Sequence, residues 1–271
     1  MGTIGRIPRQ PGAAMTFIET KLSAGRVAFS LDNLTAETGL SPIAAKNQLL
    51  RLGDLVARVS RPQSFFLIVT PEHRAFGAPP VAWWLDDYLG WLRHPYYLAL
   101  QSAAGAYGSE PQAIQVAQVM TDKPRREIGV GRLRIRFFVK RGIERTPTRP
   151  LSGAFAPLRV STPEATVFDL IRYAPRIGGI GSAIETLTPL LPLVRVGEFD
   201  RVLRAEDEPA IAQRLGYIFE KAGEARLAEV IRRWLPSRLA LVPLASSRTN
   251  PTTSHEAPNW RVLDNSGEFG T

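Results

Sequence analysis

The 271-residue chain contains no cysteine. That excludes disulfides, thiol nucleophiles and cysteine-ligated zinc, and it suits a reducing compartment. Histidine is scarce as well: His73, His94 and His255 sit in unrelated settings, none at metal-ligand spacing from another. No run reaches the roughly eighteen apolar residues that a membrane-crossing helix requires. The short apolar stretch after Arg6 and Arg9 is interrupted by Glu19, so no signal peptide is expected. These absences place the protein, as an expectation, in the cytoplasm.

Catalytic groupings are missing too. Glu164 and Asp169 lie five positions apart on one expected helix and so diverge. Phe137-Phe138-Val139-Lys140 offers a lysine but has phenylalanine where a nuclease would carry its acid. Gly178-Gly179-Ile180-Gly181 lacks the spacing and lysine of a phosphate-binding loop and reads as the turn that starts a helix. The expectation is a non-enzyme without metal or cofactor.

What the chain does have is positive charge. The formal net charge is +9, which makes a polyanion a reasonable partner. It is unevenly spread: Lys123 to Arg159 holds 11 basic and 2 acidic residues, an excess equal to that of the whole chain. Within this stretch Arg132, Arg134 and Arg136 alternate with Leu133, Ile135 and Phe137, so a strand here would line three arginines on one face. Arg125 and Arg126 lie upstream; Lys140, Arg141, Arg145 and Arg149 lie downstream. Two readings stand side by side: a second basic surface of Arg125, Arg126, Arg132, Arg134, Arg136 and Lys140 touching phosphates, or a solvated strand face with charged loops.

The spacing between Ser30 and Val69 predicts a winged helix-turn-helix. Leu31 to Thr38 forms a short amphipathic helix, with Ser30 or Asp32 able to accept from the free N–H groups at its start. Gly39 stops it in a left-handed conformation. Ser41 caps a second helix and Pro42 occupies its first position, where a missing N–H costs nothing. Ala45, Leu49 and Leu52 mark that helix's buried stripe, while Ser41, Ile43, Lys46, Asn47 and Leu50 fall elsewhere, with Arg51 at the edge. Lys46 and Asn47 are the expected readers of base edges: asparagine suits adenine, lysine a guanine acceptor or a phosphate. Leu55 to Val59 and Phe65 to Val69 then read as a hairpin with Arg58, Arg61 and Gln63 near its tip. Ser41, Pro42, Lys46, Asn47, Arg51, Arg58, Arg61 and Gln63 are the expected contacts to double-stranded DNA. The competing reading is two packed helices of an ordinary α/β protein.

Punctuation divides the chain into an arm at 1–12, the winged helix at 13–78, a larger part at 79–245 and an extended tail at 246–271. In the larger part, Val81 to Leu92 and Tyr96 to Tyr107 have helical spacing. Ile114 to Met120, Leu133 to Val139 and Ala156 to Val160 look like strands, and Thr162-Pro163-Glu164 opens a helix reaching Tyr173. Helices are expected around Gly181 to Leu190, Val196 to Leu203, Glu208 to Ala222 and Glu224 to Trp234. The fold class is α/β in the α+β sense: an N-terminal winged helix joined to a mixed domain with a helical C-terminal half. In the tail, Trp260-Arg261-Val262-Leu263 has the composition to add a strand.

The winged helix, the segment Tyr96-Tyr97-Leu98-Ala99-Leu100-Gln101-Ser102-Ala103-Ala104-Gly105-Ala106-Tyr107-Gly108, the strand Gln115 to Thr121, and Ser161-Thr162-Pro163-Glu164-Ala165-Thr166-Val167-Phe168-Asp169-Leu170 follow one another in a characteristic order. In that order and spacing, from about Met15 to Trp234, the chain resembles the AbiEi antitoxins of type IV toxin-antitoxin systems. The resemblance implies an autorepressor that binds its own promoter through the winged helix and opposes a nucleotidyltransferase-like toxin without needing a stable complex with it. Separately, one winged helix per chain leads to the expectation of a monomer in solution that forms multimers on DNA. The wing tip departs from the Gly-x-Tyr ending common in such proteins, with Arg61-Pro62-Gln63-Ser64 in its place. A stand-alone DNA-binding regulator, or an enzyme acting on nucleic acid, are the alternatives.

Overall fold

The structure is a computed structural model that describes residues 12–60, 64–108, 116–152, 157–246 and 254–269. Its N-terminal part runs α1 (Ala13–Ser23), β1 (Ala28–Ser30), α2 (Leu31–Thr38), α3 (Pro42–Arg51), β2 (Val56–Arg58) and β3 (Phe65–Ile68). β3 lies between β1 and β2 and is antiparallel to both. The arm ahead of Gly12 expected from the sequence lies outside the described residues.

Strand alternation gives this small sheet two working faces. Phe29, Phe66 and Ile68 point toward the three helices and join Ala14, Phe17, Ile18, Leu34, Ala45 and Leu49 in one cluster. Ala28, Phe65 and Leu67 point the other way, into a cluster with Val81, Trp84, Leu85, Tyr88 and Leu89. Strands β1 and β3 are therefore buried on both sides. It is pinned to α4 (Leu85–Trp91) by edge contacts from Phe65 to Tyr88, with ring centroids 5.2 Å apart, and by an Arg26–Asp87 ion pair at 3.0 Å.

The rest of the chain continues β4 (Tyr96–Leu98), α5 (Leu100–Ala106), β5 (Val116–Thr121), β6 (Ile128–Val130), β7 (Leu133–Val139), β8 (Thr148–Ser152), β9 (Pro157–Ser161), α6 (Pro163–Arg172), α7 (Gly179–Leu187), α8 (Val196–Glu206), α9 (Pro209–Lys221), α10 (Ala225–Trp234), β10 (Val242–Pro243), β11 (His255–Ala257) and β12 (Val262–Asp264). Six strands form a mixed sheet in the order β6-β7-β5-β4-β9-β8. β4 pairs parallel with β9 and β5 parallel with β7; the remaining pairs are antiparallel. Pro150 sits in β8, which has β9 as its one neighbour, the edge position where a missing N–H is tolerated.

Register divides this sheet as it divides the first. Tyr97, Met120 and Phe138 are cross-strand neighbours facing the helical cluster of α6 to α10. Leu98, Val119 and Phe137, one residue away on each strand, face α4 and the N-terminal sheet. The mixed α+β architecture expected from the sequence is present.

Two expectations are corrected here. Tyr96 to Leu98, expected as the start of a helix, is a central strand, and the helix begins at Leu100. The aromatic spacing of Tyr96 and Tyr97 reflects opposite faces of that strand: the Tyr96 hydroxyl donates to Asp86 at 2.5 Å and the Tyr97 hydroxyl to Asp169 at 2.7 Å. The described part of the C-terminal segment, expected as an extended tail, folds back. Its β11 and β12 join β10 in a small sheet, and Trp260 is fully buried against Gly216 of α9. Its indole N–H donates to Glu220 at 3.0 Å, so the large ring meets both its apolar and its polar needs there.

Candidate nucleic-acid interface

The geometry of α2 and α3 follows from their ends. The Ser30 hydroxyl accepts from the Asn33 N–H at 3.1 Å, while the Asn33 side chain accepts from the Ser30 N–H at 3.2 Å. That is a reciprocal capping box, with asparagine in the place glutamate usually takes. Gly39 closes α2 with a φ of 69° and donates its N–H to Thr35 at 2.9 Å. Ser41 caps α3 by accepting from Ala44 at 3.3 Å, and Pro42 is the first helical residue.

α3 is held by its inner face. Ala45 and Leu49 are buried and Leu52 is half-buried, while the Gln48 side chain accepts from the Ala14 N–H at 2.9 Å. The outer face is a stripe at the helical intervals three, four and seven: Ile43, Lys46, Asn47 and Leu50, all exposed. Ser41, Pro42 and Arg51 are exposed around it, and Arg58 at the end of β2 lies with its guanidinium 5.9 Å from the Phe66 ring centroid. A shallow groove of about 400 Å³ runs between helix and hairpin, lined by Lys46, Asn47, Leu49, Leu50, Gly53, Val56, Arg58 and Phe66. Among the described residues that line it, none is acidic. Arg61 and Gln63 lie outside the described residues.

The basic stretch is less uniform than its sequence. β7 begins at Leu133, so Arg134 and Arg136 share an exposed strand face while Arg132 belongs to the preceding turn. Arg134 donates to the Gly131 and Leu133 carbonyls at 2.9 and 3.0 Å, and Arg136 to Glu127 at 3.3 Å. Arg126 is exposed; Arg125 is half-buried, its Nε enclosed without a partner among the described residues.

Lys140 does not belong to this surface, which corrects the expectation. It is 4% exposed, and its ammonium donates to Asp169 at 2.9 Å, Glu206 at 2.7 Å and the Tyr97 hydroxyl at 3.2 Å. Arg172 closes the cluster with bonds to Asp169 at 3.0 Å and to Glu206 and Glu208 at 2.7 Å. Thr146 donates to Glu206 at 3.0 Å. Burial acts to raise the Glu206 carboxyl, but the charges of Lys140 and Arg172 outweigh it and hold the group below the ordinary glutamate range. Burial and the charge of Asp169 push the Tyr97 phenol well above its usual value. This arrangement ties β7 to α6 and α8 and leaves its charged atoms out of reach of a polyanion.

The other singled-out residues have structural partners. Glu164 accepts from the Arg195 N–H at 2.9 Å. His73 pairs with Thr70 at 2.9 Å, His94 with Asp122 at 3.0 Å and His255 with Tyr217 at 3.3 Å. Gly178 and Gly179, with φ of 107° and 95°, start α7, and the Glu268 carboxylate lies against Gly181. Among the described residues, no group of three His, Asp or Glu is placed to hold a metal ion, and no helix is long and apolar enough to cross a membrane.

These observations define an α+β protein with a capped, outward-facing helix beside a hairpin and a six-stranded domain backed by helices. Its fold is similar to that of the RV2827C protein from Mycobacterium tuberculosis, with a TM-score of 0.68 over 94% of this chain and 92% of that chain at 17% identity. No curated protein matches the chain. Residues 97–221 match the AbiEi antitoxin C-terminal domain, so that part of the chain is similar to this family of antitoxins. The match covers β4 through α9, hence the buried Tyr97–Lys140–Asp169–Glu206 cluster.

Proposed function

We propose that the chain is a DNA-binding antitoxin that represses its own promoter. The N-terminal part acts as a winged helix-turn-helix, with α3 in the major groove of double-stranded DNA and the hairpin against the backbone. The observation that carries this reading is the outward stripe of α3: Lys46 and Asn47 stand exposed on a helix whose inner side is fixed by Ala45, Leu49 and Gln48. The acid-free groove beside it, with Arg51 and Arg58 near, suits a phosphate backbone. Arg126, Arg132, Arg134 and Arg136 offer a second basic surface, and copies of the chain assemble on repeated half-sites. The residues matching the AbiEi domain oppose a nucleotidyltransferase-like toxin without a stable complex, the protein has no catalytic activity of its own, and it works in the cytoplasm.

Binding of the full chain to a duplex carrying its own promoter, titrated by fluorescence anisotropy across a salt series, tests the DNA half. Affinity should fall linearly on a log-log plot, with a slope of roughly 0.9 per phosphate neutralised. Equal affinity for promoter and scrambled duplexes would refute the repressor reading. The antitoxin half is tested by expressing a neighbouring nucleotidyltransferase-like reading frame with and without this chain. Growth arrest that this chain does not relieve would refute it.

A further inference from the structure

Two large aliphatic side chains stand on the outer face of α3: Ile43 is 74% and Leu50 81% exposed, the highest values among the large exposed hydrophobics of the described residues. They are seven residues apart, two helical turns, and bracket Lys46 and Asn47 on the same stripe. At 1.5 Å of rise per residue their Cα atoms lie about 10 Å apart along the helix axis, close to the length of three base-pair steps. An apolar protein partner would meet only two separated aliphatics with a cation and an amide between them. A duplex matches the positive charge of Lys46, Arg51 and Arg58, and the major groove offers one apolar group, the thymine 5-methyl.

We propose that Ile43 and Leu50 are specificity-determining residues that each cover a thymine methyl, on either side of the bases that Lys46 and Asn47 contact. The recognised sequence then carries two thymines about three base pairs apart. This inference rests on the reading that α3 lies in the major groove, and it adds which bases that helix selects.

The test uses the full chain and duplexes enriched by it from a random library. In the selected sequence each thymine is replaced in turn by deoxyuridine, which removes only the methyl group, and dissociation constants are measured by anisotropy. Two positions should each lose about fourfold in affinity, the worth of one buried methyl. Ile43→Ala should abolish the loss at one position and Leu50→Ala at the other, leaving the remaining thymines without effect in any variant. Both side chains are exposed, so folding is not at stake, and circular dichroism checks it. Sequence-selective binding that ignores every methyl, or methyl effects unchanged in both variants, overturns the inference and leaves the major-groove reading standing. No enrichment of any sequence overturns both.

Discussion

Lys140 donates to Asp169 across 29 residues of sequence at 2.9 Å, with both side chains shut away from solvent. The pair joins the end of β7 to the middle of α6, and through Glu206 it reaches the end of α8. A buried pair of this kind says little about net stabilisation, because taking the charges out of water costs about as much as their attraction returns. Breaking it is another matter. Lys140→Ala leaves two buried carboxylates with Arg172 as their remaining cation, and should destabilise the protein by about 3–5 kcal/mol in urea unfolding. Under conditions where it is folded, DNA affinity should equal that of the unaltered protein. A drop in affinity with stability intact would return Lys140 to the basic surface.

The same cluster sets an acid limit on stability. Glu206 is held below the ordinary carboxylate range by Lys140 and Arg172 against the opposing effect of burial. Its pKa in the folded state is therefore lower than in the unfolded chain, where about 4.3 is usual for glutamate. The unfolded state takes up the proton first, so Glu206 contributes its full stabilisation above that value and loses it as pH falls through the folded pKa. Unfolding free energy measured from neutrality down to about pH 3 should decline, and Glu206→Gln should decline less steeply over that window while starting lower at neutrality. Parallel curves for the two proteins would show that Glu206 is not coupled to the fold in this way.

On α3, Lys46 and Asn47 should respond differently to truncation. Asn47→Ala, if the amide bonds an adenine edge, costs about 1–3 kcal/mol on the selected site and little on random duplex. Lys46→Ala, if the ammonium sits on a phosphate, weakens all duplexes alike and lowers the salt slope by about 0.9. Salt titrations of both variants on specific and scrambled DNA separate the two roles. Unchanged affinity in the double variant would mean that another face of the N-terminal part meets the DNA.

Much of this surface is legible in the sequence because its controls are local. Ser30, Gly39, Ser41 and Pro42 act within one helical turn, and Ala45 and Leu49 give the inner stripe its period. Ile43 and Leu50 carried the same signal in their spacing, yet an aliphatic residue by itself does not say whether it faces a core or water. Lys140 is illegible for a different reason: its acidic partners arrive from α6 and α8, 29 and 66 residues further on. The strand nature of Tyr96 to Leu98 is set by β5 and β9 on either side, and three residues are too few to show a period of two. Trp260 reads as a tail residue until α9 supplies Gly216 beneath it.

One joint between the N-terminal part and the large sheet is narrow enough to test with a single methyl group. Gly131, in the turn between β6 and β7, has a φ of 56° and meets Gly77, whose φ is 72°, backbone against backbone. The next residue, Arg132, donates its N–H to the Phe76 carbonyl at 2.8 Å. A Cβ at Gly131 would overlap that same carbonyl and the Gly77 Cα, neither of which is a side chain that swings aside. Gly39 supplies the comparison, since its φ is 69° and a Cβ there meets nothing within 4 Å. Gly39→Ala should therefore cost only the left-handed conformation itself, about 1–2 kcal/mol. Gly131→Ala bears that strain plus the overlap, and should lose clearly more in urea unfolding. Equal losses would show that the turn yields freely, and that the stretch around Phe76 and Gly77 does not clamp the N-terminal part to the sheet.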